Sequence, residues 1–229
     1  MKNALIFILV ATLYACSEAP KDAAEQTENT LTQAETELSQ VAPVPWQEGK
    51  HYEVLDQEAT ENPEVKEFFS FYCPHCFSFE PFVQEMKRRF GDSIPVDKVH
   101  VDFMGFTNRE IQQQVSVAML VARNMGIQEQ INQAIFNHIH MEQKALDTPA
   151  QLSQLLAANG ISADAFDSAV TESEMVGLIE EHSQKFATYR PDLSSVPTFV
   201  VNGKYKVLFG ANLNADELLS LIEWLAKQS

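Results

Sequence analysis

The stretch FFSFYCPHCFSFEP, residues 68–81, sets two cysteines three positions apart behind a run of aromatics. Such a pair binds a metal, staples a loop or passes electrons, and the spacing alone does not choose. Each use needs different company elsewhere in the chain. A zinc site takes about four ligands. Cys73 and Cys76 supply two, His75 lies awkwardly between them, and there is no second pair at this spacing. His138 and His140, two apart on a presumed helix, face different ways. No metal is therefore expected. A purely structural disulfide would close only a tiny loop and remove little entropy from the unfolded chain.

Redox chemistry needs a thiolate of low pKa, exposure, and a second thiol in reach. The flanking pattern offers all three. EVKEFFSFY (64–72) reads as a strand buried on both faces. CFSFEPFVQEMKRRF (76–90) reads as a helix, with Phe79, Phe82, Val83, Met86 and Phe90 at helical spacing. Its basic end, Lys87-Arg88-Arg89, followed by Gly91, suits a helix C-terminus, and Pro81 is expected to kink it. A strand ending at Tyr72 and a helix starting near Cys73 place the Cys73 sulfur over the first-turn N–H groups, where negative charge is favoured. Pro74 loses nothing there by lacking an N–H. His75 offers a cation or a donor beside the sulfur. Cys76 lies one turn on, within bonding distance and deeper.

KVHVDF (98–103) alternates Val99, Val101 and Phe103 and reads as a second strand. Strand, helix, strand makes a βαβ unit with parallel strands. HYEVL (51–55) reads as a short strand before it. Residues 107–190 carry helical stripes only: Ile111, Val115, Ala118, Met119 and Ala122, then Ile127, Ile131, Ile135 and Phe136. Thr148-Pro149 caps a helix that stops at Asn159-Gly160, Ser162 starts another, and a longer one runs from Ser173 to about Tyr189. TFVV (198–201), Asn202-Gly203 and KYKVLF (204–209) form a hairpin signal, and a last helix runs from Asn214 to about Lys227. The order β-β-α-β, helices, β-β-α predicts an α/β, thioredoxin-like fold with a helical subdomain inserted over about 107–190.

Two further residues stand out. Pro197 in SVPT (195–198) either opens a strand in the ordinary trans form or makes a cis-proline loop beside the cysteines, with the main chain of Val196 open to an extended peptide. Glu67, mid-strand and six residues before Cys73, is either a buried acid that shuttles protons as the thiols cycle or a carboxylate reaching solvent at a sheet edge.

The N-terminal segment differs in kind. MKNALIFILVATLYAC (1–16) has one lysine, a short apolar run and a small residue before Cys16, the pattern of an export signal. Leu13-Tyr14-Ala15-Cys16 resembles a lipoprotein signal end, which implies lipid attachment at Cys16; ordinary cleavage just past Cys16, giving a soluble periplasmic protein, is the alternative. Residues 17–45, with six acids against one lysine and no aromatics, read as a flexible acidic tether. The folded domain is expected over 46–229. The formal net charge of −16 argues against nucleic acid and anionic membrane surfaces as partners. Three cysteines are too few for a disulfide-stapled scaffold.

WQEGKHYEVL (46–55), EFFSFYCPHC (67–76), VHVDFMG (99–105) and VPTFVVNGKY (196–205), in that order around a helical insert, resemble the DsbA family of bacterial disulfide oxidoreductases. A low cysteine pKa and an oxidising disulfide are known traits of that family, so the resemblance implies both here. It implies Cys73 as nucleophile, Cys76 as its buried partner, and Pro74 and His75 as tuning residues. It also implies a cis bond at Pro197 with Val196 before it, and Glu67 as the buried acid. The implied activity is donation of the Cys73–Cys76 disulfide to reduced, newly exported proteins through a mixed disulfide at Cys73. A membrane oxidase of the DsbB type, linked to quinone, restores the disulfide, and no bound cofactor is needed. The expected location is the periplasm, as a membrane-anchored lipoprotein or a soluble protein, and the expected state is a monomer. A reductase or isomerase, or a non-catalytic peptide-binding lipoprotein, are the competing functions.

Overall fold

Val65–Phe69 buries all five of its residues, and the sheet is built around it. The computed structural model describes residues 46–228. Its strands are β1 (Tyr52–Val54), β2 (Val65–Phe69), β3 (Val96–His100), β4 (Thr198–Val201) and β5 (Tyr205–Val207), in the sheet order β1-β5-β4-β2-β3. β2 runs parallel to β3 and antiparallel to β4, as a βαβ unit beside a hairpin requires. The leader and tether expected over residues 1–45 lie outside the described residues.

β2 and β3 each end three residues earlier than the sequence pattern predicts, for one reason. KVHVDF predicts a strand over 98–103, but β3 covers Val96–His100. EVKEFFSFY predicts a strand to Tyr72, but β2 stops at Phe69. The two pair from Val65↔Val96 to Phe69↔His100, and Val101 N–H still reaches Phe69 O at 2.8 Å. Beyond that point Ser70 turns the chain: its carbonyl accepts from Cys73 N–H at 3.1 Å and its hydroxyl oxygen from Tyr72 N–H at 3.2 Å. With β2 bent away, β3 has no strand partner on that side among the described residues.

The helices are α1 (Pro74–Phe90), α2 (Arg109–Asn124), α3 (Gln128–Phe136), α4 (Pro149–Ala158), α5 (Ala163–Val170), α6 (Ser173–Tyr189) and α7 (Ala215–Leu225). Pro81 lies inside α1, which runs on to Phe90. Thr148 and Asn214 close capping boxes with Gln151 and Glu217, and Ser162 caps α5, so these starts are set by local chemistry. Val83, Met86 and Phe90 of α1 pack with Leu218, Leu221, Ile222 and Leu225 of α7 and with Val65, Phe199 and Val201 of the sheet. The helices α2–α6 form the insert and bury a second cluster, in which Ile111, Val115, Met119, Ile131, Ile135 and Phe136 meet Phe69 and Val99.

The hairpin turn has positive φ at both Asn202 (50°) and Gly203 (69°), the requirement that selects Asn-Gly. At Gly203 a Cβ would sit 3.0 Å from the Tyr189 hydroxyl oxygen and 3.3 Å from Glu58 O. The helix α3 does not simply end at Phe136. It widens into a π turn over Asn137–Met141, closed by Glu142 N–H donating to Asn137 O at 2.9 Å.

Candidate active site

The turn from β2 into α1 sets both cysteines. Cys73 is the N-cap of α1, in extended conformation, and Pro74 is the first helical residue. Pro74 and His75 are exposed, while Cys76 is wholly buried. Both cysteines are thiols in this structure. An exposed thiol is expected at Cys73, yet only 3% of that residue reaches solvent. The reason is Val196, whose carbonyl oxygen accepts from the Cys73 Sγ at 3.5 Å. The Val196–Pro197 bond is cis, and both residues are buried. So the loop before β4 stands directly over the sulfur, although 123 residues separate the two in sequence.

Electrostatics splits the pair. A hydrogen bond from the Cys76 thiol, helped by the backbone N–H groups of Cys76 and His75 and by the nearby His75 side chain, lowers the Cys73 pKa from 9.0 to about 6 against the opposing effect of burial. Burial foremost, with the adjacent Cys73 sulfur and the Glu67 charge, pushes the Cys76 thiol far up. Ser70 N–H reaches the Cys76 Sγ at 3.5 Å. The arrangement can therefore hold a stable thiolate at Cys73 and a thiol at Cys76, the pairing that makes Cys73 the better leaving group.

Glu67 is not at a sheet edge. It sits mid-way along β2, between β3 and β4, with no exposed surface. Directly across the parallel register is Lys98 of β3, whose Nζ lies 2.6 Å from Glu67 Oε2. Lys98 is itself only 1% exposed and also bridges to Glu80 of α1. Burial opposes charge on Lys98, but the two carboxylates together raise its pKa. Burial raises the pKa of Glu80 despite the pull of Lys98. Glu67 Oε1 is buried with no hydrogen-bond partner among the described residues. Glu80 lines a cleft of about 650 Å³ together with Phe77, Pro81, Phe136 and Met141, and its ion pair with Lys98 links that cleft to Glu67.

Sequence patterns bring Cys73, Cys76, Pro74, His75, Val196, Pro197 and Glu67 into view, and the structure gathers all seven around one turn. They miss Lys98 and Glu80. The available signal was Glu67 itself: an acid in an apolar central strand calls for a cation, and the neighbouring strand offers Lys98. They also leave His138 and His140 without a place. Among the described residues no cluster of three or more His, Cys, Asp or Glu side chains has metal-binding geometry. His138 Nε2 lies 3.2 Å from Ala145 O, and His140 Nε2 lies 2.8 Å from Phe71 O.

A family model described as a DSBA-like thioredoxin domain matches residues 64–222. The chain is similar to the thiol:disulfide interchange protein DsbA of Pectobacterium carotovorum subsp. carotovorum, with 32% identity over 163 residues, 70% of this chain and 75% of that protein. Among solved structures it is similar to Pseudomonas aeruginosa DsbA, at a TM-score of 0.66 and 28% identity over 80% of this chain and 93% of that one. It also shares the fold of a Proteus mirabilis DsbA solved with a non-covalently bound peptide, PWATCDS, at a TM-score of 0.65 and 24% identity, covering 80% of this chain and 100% of that one.

Proposed function

The chain belongs to the DSBA-like thioredoxin domain family of thiol:disulfide oxidoreductases, and we propose that it donates a Cys73–Cys76 disulfide to reduced, newly exported proteins. The observation that carries this reading is the divided pair: Cys73 with its pKa lowered to about 6, and Cys76 buried and held protonated.

In the disulfide form, a substrate thiolate attacks the Cys73 sulfur. The Cys73–Cys76 bond breaks, its electron pair passes to Cys76, and a mixed disulfide joins substrate to Cys73. Cys76 takes up a proton, and Glu67, within electrostatic reach of it, serves as the buried acid that relays protons by way of Lys98 and Glu80. A second substrate thiolate then attacks the substrate sulfur of the mixed disulfide and expels Cys73 as a thiolate. Two substrate thiols have become a disulfide, and the protein is left as Cys73 thiolate and Cys76 thiol. Pro74 and His75 tune the couple from the exposed first turn. An extended substrate segment lies along the main chain of Val196 beside Pro197, the mode in which a strand-like peptide adds to a backbone edge. A DsbB-type, quinone-linked membrane oxidase takes the two electrons and restores the disulfide.

The N-terminal sequence supports a site of action outside the cytoplasm. The apolar run ending at Cys16 reads as an export signal, with lipid attachment at Cys16 holding the domain to a membrane through the acidic segment. Cys16→Ala should then release the protein from membranes; unchanged fractionation would mean that Cys16 carries no anchor.

Mixing the oxidised protein with a reduced unfolded substrate tests the reaction. A Cys76→Ala variant carrying glutathione in a mixed disulfide at Cys73 should exchange it for substrate, releasing glutathione as a thiolate and accumulating a reductant-sensitive adduct, and Cys73→Ser should form none. Full oxidase activity in Cys73→Ser would overturn the proposal.

A further inference from the structure

We propose that His140, on the π turn of the helical insert, is a positioning residue for the Cys73–Cys76 couple. This rests on the redox reading of that pair and adds a member from a different part of the fold.

His140 brackets the two cysteines. On one side its Nε2 lies 2.8 Å from the carbonyl oxygen of Phe71, two residues before Cys73. A carbonyl only accepts, so Nε2 carries the hydrogen and donates it. On the other side its ring stacks on Phe77, the residue after Cys76, with centroids 5.0 Å apart and planes 13° apart. Phe77 N–H in turn donates to Cys73 O at 3.1 Å, the first bond of α1. One imidazole thus touches the segment entering the site and the helix turn leaving it.

The need for a donor follows from where the sheet stops. β2 and β3 part after Val101 N–H meets Phe69 O, two residues short of Phe71. Phe71 is fully buried, packed against His100 and Phe136, so its carbonyl has to find a donor inside the protein. The ordinary α-helical geometry of α3 gives way to a π turn at Asn137–Met141, where His140 makes this contact. Such turns often accompany functional positions. Nearby, Tyr72 Oη donates to Leu146 O at 2.7 Å, so residues 140–146 hold both positions that precede Cys73.

The Ser70–Cys73 turn aims the N–H groups of His75 and Cys76 at the Cys73 sulfur and the Ser70 N–H at Cys76. Loosening Phe71 lets the sulfur drift from those donors. The thiolate then loses stabilisation, and the disulfide becomes a weaker oxidant.

The test uses the full chain in its dithiol form, with no substrate. His140→Phe keeps a ring on Phe77 and removes the donor. His140→Gln supplies a donor and removes the ring. Thiolate absorbance reports the Cys73 titration, and a thiol buffer reports the redox equilibrium. His140→Phe should raise the Cys73 midpoint by about half a pH unit or more and shift the equilibrium about threefold or more toward the disulfide, at tenfold per unit. His140→Gln should restore most of both. A folded His140→Phe with unchanged values would overturn the proposal, as would His140→Gln shifting as far as His140→Phe. Nitrogen NMR of the wild-type imidazole needs no variant, and an Nδ1–H tautomer there would end it. The differences between variants test His140, while the absolute potential tests the oxidase reading, so the two fail separately.

Discussion

Lys98→Met removes one amine from beneath the active site and leaves two carboxylates behind. Glu67 has no exposed surface and Glu80 shows 17% of its side chain, so Glu80 can regain water and Glu67 cannot. Breaking a buried ion pair by deleting one partner costs about 3–5 kcal/mol, because the surviving charge is left desolvated. At roughly 2–4 °C per kcal/mol for a unit of this size, the Tm should fall by about 6–20 °C at neutral pH. The pH dependence has a definite sign. A carboxylate stranded without its cation costs free energy only while it is ionised, so the penalty is absent in acid, where carboxyls are protonated in both states, and present near neutrality. The difference from wild type should therefore be largest near neutrality and shrink in acid. Adding Glu67→Gln to Lys98→Met removes the stranded charge and should recover most of the loss. Urea denaturation of the full chain followed by circular dichroism, at several pH values, measures each quantity. A Lys98→Met protein within about 1 kcal/mol of wild type at neutral pH, with an unchanged urea dependence, would mean that no desolvated charge is stranded at Glu67.

Three other outcomes follow from the same structure. A Cys73 pKa of about 6 against 9.0 stabilises the reduced fold by up to about 4 kcal/mol above about pH 9, and this is lost as the pH falls through 6. The stability of the reduced protein over Cys73→Ser should shrink accordingly in acid; a constant difference would count against the thiolate. Burial lowers the pKa of both His100 and His182, so the fold loses stability as the pH drops below about 6.5, by up to about 1.4 kcal/mol per pH unit for each. His100→Asn, which retains a donor for Ser116 Oγ, should flatten that slope by about one proton, and an unaltered slope would contradict the assignment. Gly203→Ala puts a Cβ against Tyr189 and Glu58 at φ +69° and should cost about 2–3 kcal/mol in the same urea assay, whereas a neutral effect would mean the turn rearranges freely.

Most of the architecture is legible because it is written in local chemistry. Asn202-Gly203, the caps at Thr148, Ser162 and Asn214, and Pro74 beside Cys73 each specify a turn or a helix start by their own backbone preferences. What escapes is long-range register. Nothing near Lys98 says that it faces Glu67; that follows only once β2 and β3 pair in parallel. The early end of β3 is likewise a consequence of Ser70 turning its neighbour away. His140 is hidden for the same reason, since a π turn has no simple sequence signature and its target, Phe71 O, is a backbone atom 69 residues away. The covering of Cys73 by Val196 belongs to this class too, although SVPT marks the loop that does it.

The proposed function requires Cys73–Cys76 to be an oxidising couple. Equilibrating the purified protein with glutathione buffers and counting reduced thiols at Cys73 and Cys76 measures this directly. A couple clearly more oxidising than glutathione, with Cys73 ionised well below the ordinary thiol range, is the predicted result. A couple as reducing as that of thioredoxin would contradict it and make this protein a reductase that draws electrons from elsewhere.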